Sequence, residues 1–152
     1  MDAVLIEFRR LRAGAILPAY QSEQAAGMDL SADLDEPVEI EPGDIVVIPC
    51  GFAMALPIGF EAQIRPRSGL ATKFGITLPN APGTVDSDYR GEMKVPLINH
   101  GKIPFVVEPG MRIAQMIVAR VEHVQILEVK ELTQTQRGER GFGSTGVGHG
   151  PL

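Results

Sequence analysis

Glycine and proline decide most of what this chain can become. The 152 residues hold 17 glycines and 12 prolines, set between short apolar runs. "EPGD" (41–44), "LPIG" (56–59), "APGT" (81–84) and "EPGM" (108–111) are turn signals. Proline presets its φ, and glycine takes conformations closed to other residues. Proline in a helix interior costs about 3 kcal/mol, so long helices have little room. Between the turns lie "VLIEF", "DIVVIP", "GFAMAL", "FEAQIRP", "MKVPLIN", "PFVVEPG" and "RIAQMIVARVEHVQI". These runs are rich in β-branched residues and often alternate, which reads as strands. The fold class expected is all-β, a jelly-roll-like or distorted β-barrel subunit. One short helix is expected at "SGLATKFG" (68–75), opened by Ser68 as N-cap. There is no βαβ alternation and no repeat of 20 to 50 residues. Residues 1–133 read as a single domain, and from Gln134 the composition shifts to a flexible glycine-rich arm, 134–152.

Composition narrows the class of function. Hydrophobic residues make up 44% of the chain, a globular proportion. Cys50 is the single cysteine, so no internal disulfide forms and a reduced, cytoplasmic setting is expected. No run approaches the ~20 apolar residues of a membrane span, and the N-terminal "VLIEF" is too short for a secretory leader. The net charge of −5 argues against a nucleic-acid partner. Its distribution says more. Residues 13–64 contain no Lys or Arg, while Arg65, Arg67, Arg90, Arg112, Arg137 and Arg140 follow as spaced single cations. Spaced arginines suit a small bound anion better than a polymer.

Five stretches carry chemistry, and each also has a plainer reading. "RGERGFGSTG" (137–146) contains a literal G-x-G-x-x-G. The dinucleotide fingerprint must follow a strand and open a helix, with an acid about 20 residues on; only six residues follow here, so it does not apply. Read alone it is equally a solvated tail, yet its glycine amides, hydroxyls, arginine and Phe142 can wrap a phosphate and cover a flat base. "IRPRSGLATK" puts Arg67 before Ser68 and Gly69, an anion-binding arrangement or a simple strand end. "AAGMDLSAD" sets Asp29 among small and apolar residues, either an interface carboxylate or a turn aspartate. "RIAQMIV" interrupts a buried strand with Gln115, whose amide needs a partner. "NAPGTVDSDYRGEMKVPLIN" (80–99) reads as a β-hairpin, with Val85 and Tyr89 on one face and Asp86 and Asp88 on the other. No Cys/His pair has zinc spacing, and nothing marks a nucleophile elbow.

Taken in order, these five stretches resemble the five motifs of the trimeric dUTPases, over about residues 25–146. The resemblance implies a homotrimer with shared active sites and hydrolysis of dUTP to dUMP and pyrophosphate with Mg²⁺. It implies that Asp86 activates the attacking water and that Tyr89 lies under the deoxyribose, crowding out a 2′-hydroxyl. Asn80 and the backbone of Thr84, Val85 and Asp86 match the uracil-reading segment, and Lys94 falls near the nucleotide. Arg67, Ser68, Gly69 and Gln115 match phosphate binders. Asp29 matches a carboxylate near the metal, acting through water, with Mg²⁺ held mainly by substrate phosphates. Arg137, Phe142, Gly143, Ser144 and Thr145 match an arm that closes over the site. Arg140 departs from the arm pattern, which has a small residue there, so it carries no assigned contact. The alternatives are a dCTP deaminase-like enzyme, whose hairpin aspartate typically precedes Pro-Gly rather than "SDY", and a non-catalytic nucleotide-binding protein of the same fold.

Overall fold

A computed structural model describes residues 4–142. It contains twelve strands and one helix, in the order β1 (Glu7–Arg10), β2 (Ala19–Tyr20), β3 (Met28–Ser31), β4 (Val38–Ile40), β5 (Ile45–Pro49), β6 (Phe52–Ala55), β7 (Phe60–Pro66), α1 (Ser68–Phe74), β8 (Ile76–Thr77), β9 (Gly83–Val85), β10 (Lys94–Asn99), β11 (Phe105–Val107) and β12 (Arg112–Arg120). The largest sheet runs β2-β3-β12-β7-β9 and a second runs β5-β10-β8, with the pairs β1-β6 and β11-β4 beside them. All these pairings are antiparallel. The result is a jelly roll with one short helix.

Alternation explains which faces meet. In β7, Ala62 and Ile64 are buried while Arg65 is exposed. In β12, Ala114 and Met116 are buried on the same side. The core gathers Phe52, Leu30, Ile40, Ile48, Ile76, Leu97, Ile113 and Met116. Each such side chain contributes about 1.5–3 kcal/mol on leaving water. Phe8 meets Phe52 edge-on at 5.7 Å, which ties the β1-β6 pair to that core. Asn99 is the one fully buried carboxamide among the described residues, and it is satisfied. Its Nδ2 donates to the carbonyls of Ile40 and Ile103, each at 2.9 Å, and its Oδ1 accepts from Gly101 N at 2.8 Å.

Three local expectations are corrected. Ser68 is not the N-cap of α1; it is the first helical residue. Arg67 holds the cap position in extended backbone, with no side-chain cap bond. Its carbonyl receives Leu70 N and Ala71 N, while its side chain turns to the neighbouring sheet. The helix ends where Gly75 turns left-handed at φ 73°, so close to Gly101 that a side chain would not fit. The stretch 80–99 is not a hairpin. β9 pairs with β7, whereas β10 pairs with β5 and β8, so the segment passes from one sheet to another. Tyr89 lies in the connecting turn, so strand alternation does not relate it to Val85. Finally, β12 stops at Arg120. Beyond it Val124, Ile126, Leu127 and Leu132 stand exposed.

Candidate active site

The turn after β9 is built by its own backbone. Tyr89 N donates to Asp86 O at 3.2 Å, and Arg90 Nη1 donates to the carbonyls of Ser87 and Tyr89 at 2.7 and 2.9 Å. The Arg90 guanidinium therefore fastens the turn. Tyr89 is half-exposed, and its Oη donates to Glu92 O at 2.9 Å. Thr84, Val85, Asp86, Tyr89, Met93 and Lys94 line a cavity of about 220 Å³ that Glu92 completes. Lys94 Nζ stands 3.8 Å from Glu92 Oε2. Asp86 and Thr84 also border a second hollow of about 310 Å³, whose wall includes Glu61, Asp88 and His123. Among the described residues no side chain pairs with the Asp86 carboxylate, which leaves its lone pairs open to a water. Asn80 sits on the exposed turn before Gly83, outside the lining of the smaller cavity.

A charged cluster occupies another part of the same sheet. Register sets Gln115 opposite both Asp29 and Arg65. Arg112 Nη1 reaches Asp29 Oδ2 at 3.0 Å, and Arg67 Nε stands 3.5 Å from Oδ1. Arg67 Nη1 also donates to Arg112 O at 2.9 Å. The carboxylate thus holds two guanidiniums together that would otherwise repel. Gln115 Nε2 donates to Pro66 O at 3.1 Å, so its amide has the partner that its position demanded. Ser68 and Gly69 open α1 directly after Arg67. Arg112 is the member that sequence reasoning left without a role. Its only signal was an arginine opening a buried strand.

The structure brings the candidates together in two sets. Thr84, Val85, Asp86, Tyr89 and Lys94 form one; Asp29, Arg67, Ser68, Gly69 and Gln115 form the other. β3 and β9 are separated in the sheet by β12 and β7. For Asp29 that is three strand spacings, about 14 Å; Arg67 follows β7, the direct neighbour of β9. Arg137 belongs to neither set: its Nε donates to Arg140 O at 3.0 Å, within the arm. Phe142 is fully exposed. Gly143, Ser144 and Thr145 lie outside the described residues.

This architecture defines an all-β jelly-roll protein that sets an uncommitted carboxylate beside a small cavity and keeps arginines elsewhere on the same sheet. The family model described as dUTPase matches residues 13–146. The deoxyuridine 5′-triphosphate nucleotidohydrolase of Rickettsia felis is 61% identical over 131 residues, covering 86% of this chain and 88% of its own. Its counterpart from Syntrophotalea carbinolica is 51% identical over 146 residues, covering 96% and 99%. Among solved structures, the Staphylococcus bacteriophage 80alpha dUTPase with dUPNHPP superposes with a TM-score of 0.86 at 24% identity, covering 94% of this chain and 99% of that one. The chain belongs to the dUTPase family.

Proposed function

We infer that the protein is a dUTP diphosphatase, hydrolysing dUTP to dUMP and pyrophosphate, so that uracil is kept out of DNA and dUMP is supplied for dTTP synthesis. Family membership and the names of the relatives support the reaction. They give no support to the deaminase-like or non-catalytic alternatives. One observation carries the assignment to residues: the unpaired Asp86 carboxylate borders the cavity that Thr84, Val85, Tyr89 and Lys94 enclose. At about 220 Å³ that cavity is smaller than the ~300–1,000 Å³ of sites that enclose a whole ligand. It suits the nucleoside end and leaves the triphosphate to the arginines.

In this reading Asp86 orients a water toward the α-phosphate and takes its proton, which requires hydrogen-bond reach and no covalent nucleophile. Asn80 and the backbone of Thr84 to Asp86 read uracil, and a close wall there excludes a 5-methyl group. The Tyr89 ring lies under the deoxyribose. Arg67, Ser68, Gly69 and Gln115 bind phosphate oxygens. Mg²⁺ fits the donor set only with help from substrate: among the described residues no three His, Cys, Asp or Glu side chains gather to hold a metal. Mg²⁺ is commonly bound through one or two carboxylates plus substrate phosphates. Both oxygens of Asp29 already face arginines, so its contact to such an ion runs through water. Bound there with the substrate phosphates, Mg²⁺ would supply neutralisation of phosphate charge. Arg137, Phe142, Gly143, Ser144 and Thr145 close over the nucleotide and exclude bulk water.

The active unit is a homotrimer with shared sites. Two observations support this: the three strand spacings between Asp29 on β3 and β9 within one chain, and the exposed apolar side chains of Val124, Ile126, Leu127 and Leu132 after β12. A cytoplasmic setting agrees with the single, unpaired Cys50, and no helix among the described residues is long and apolar enough to cross a membrane. The decisive experiment measures pyrophosphate release from dUTP, dTTP, dCTP and UTP in parallel. Release confined to dUTP is expected. Ammonia release from dCTP, or no release from dUTP, would overturn the reading.

A further inference from the structure

Two segments distant in sequence converge on the carboxylate of Glu92, to which the reaction above gives no role. Gly51 N donates to Glu92 Oε1 at 3.2 Å, and Arg12 Nη2 donates to the same oxygen at 3.0 Å. Arg12 is tied in turn to Asp33 through its Nε. Lys94 Nζ stands 3.8 Å from the other oxygen, Oε2. The backbone of the same residue holds Tyr89, whose Oη donates to Glu92 O at 2.9 Å. The ring folds back over Gly91 so closely that any Cβ at residue 91 would collide with it. The turn 89–92 therefore hangs on Glu92 at both levels, side chain and carbonyl.

We propose that Glu92 is a positioning residue for sugar selection: its side chain braces the 89–92 turn against Arg12 and Gly51, and so fixes the height of the Tyr89 ring in the cavity. The proposal rests on the reading of Tyr89 as the surface under the deoxyribose. Rejection of a 2′-hydroxyl by contact alone works only if the wall does not yield, and an added hydroxyl is otherwise poorly excluded. Residue 93 is independently pinned, since Met93 N donates to Phe52 O at 2.8 Å and Met93 O accepts from Cys50 N at 2.9 Å. Losing the Glu92 carboxylate should therefore loosen the turn and spare β10.

The test compares kcat/KM for dUTP and for UTP in Glu92→Ala, Glu92→Gln and Tyr89→Phe. Their ratio does not depend on the fraction of active enzyme, so simple destabilisation leaves it unchanged. Glu92→Ala is expected to lower the ratio about tenfold, the scale of one lost charged hydrogen bond. Glu92→Gln should restore most of it, because the amide oxygen accepts the same two donors. Tyr89→Phe should reproduce the loss, and the double variant with Glu92→Ala should add little. An unchanged ratio in Glu92→Ala, or losses that multiply in the double variant, overturns the brace. If Glu92→Ala does not fold, Arg12→Gln loosens the brace from a half-exposed position and must lower the ratio; no change there overturns it equally. A second readout is independent of dUTP. The chain has no Trp and two Tyr, so in a Tyr20→Phe background Tyr89 is the sole emitter. Its fluorescence anisotropy should decay faster in Glu92→Ala than with Glu92 intact. A loosened ring in an enzyme that ignores dUTP would sink the dUTPase reading and keep the brace; an unloosened ring would sink the brace alone.

Discussion

Replacing Asp86 with asparagine separates the chemistry of the site from its architecture. The side chain is exposed, and among the described residues it holds no hydrogen bond or ion pair. The turn around it is fastened by the backbone bond from Tyr89 N to Asp86 O and by Arg90, neither of which involves the Asp86 carboxylate. A surface substitution that removes no partner changes stability by about 0.5 kcal/mol or less. The unfolding midpoint and the subunit mass should therefore match wild type. The amide keeps the size and shape of the carboxylate, so a non-hydrolysable dUTP analogue should bind with affinity close to normal. Basicity is what disappears. General-base loss typically costs about 10²–10⁴-fold in rate, or roughly 3–5.5 kcal/mol of barrier. The assay is steady-state pyrophosphate release at saturating dUTP, with binding of the analogue followed by calorimetry on the same preparation. Turnover within a few-fold of wild type would refute the role of Asp86 as base. Loss of binding in parallel with turnover would refute the claim that the carboxylate acts on water rather than on the nucleotide.

Three further outcomes are expected. Deleting the residues after Thr135 should leave the fold and much of the nucleotide affinity intact but cripple turnover, because the hydrogen bonds of residues 136–142 stay within the arm; hydrogen exchange on arm amides with and without a dUTP analogue reads the closure directly. Light scattering at micromolar concentration should give a trimer mass, and Leu127→Asp with Leu132→Asp should shift it toward the monomer; a monomer mass for the unaltered chain contradicts shared sites. Burial, and after it the charges of Glu92 and Asp33, push the Cys50 thiol from 9.0 up to about 12. The unfolded chain then ionises first, so stability should fall as pH rises from about 9 to about 12, by at most about 4 kcal/mol, and Cys50→Ala should flatten that slope in denaturant titrations.

What could be read in advance depended on distance along the chain. "FEAQIRP" announces β7 residue for residue, because its alternation is local and one face is buried. α1 was legible in "SGLATKFG" from local composition, although it buries no residue against the core. Its cap was not, because the Arg67 side chain is drawn to Asp29 and Arg112 O, partners set by sheet register. Glu92 looked like an ordinary charge in "YRGEMK", since its partners Gly51 and Arg12 lie 41 and 80 residues away. The partner of β9 was hidden likewise: nothing within residues 80–99 says that Gly83 to Val85 will lie against β7 and not against β10.

The end of β12 carries this reasoning to the assembly. "RIAQMIVARVEHVQI" alternates well enough to read as one long strand, yet the ladder to β7 stops at Arg120. β7 begins at Phe60, so β12 runs out of partner there. Val121 N still donates to Gly59 O at 3.0 Å, and after that no strand accompanies the segment among the described residues. The apolar residues continue regardless, with Ile126 95% and Leu127 82% exposed. An isolated chain gains nothing by presenting such side chains to water, and an unpaired extended segment invites another chain. Local pattern and single-chain structure disagree at this point because the first reports strand chemistry and the second reports only partners within one copy. In the homotrimer proposed above, a second copy would supply the missing partner and bring an Arg67 cluster to an Asp86 cavity, so Leu127→Asp with Leu132→Asp should cost turnover in proportion to the trimer lost.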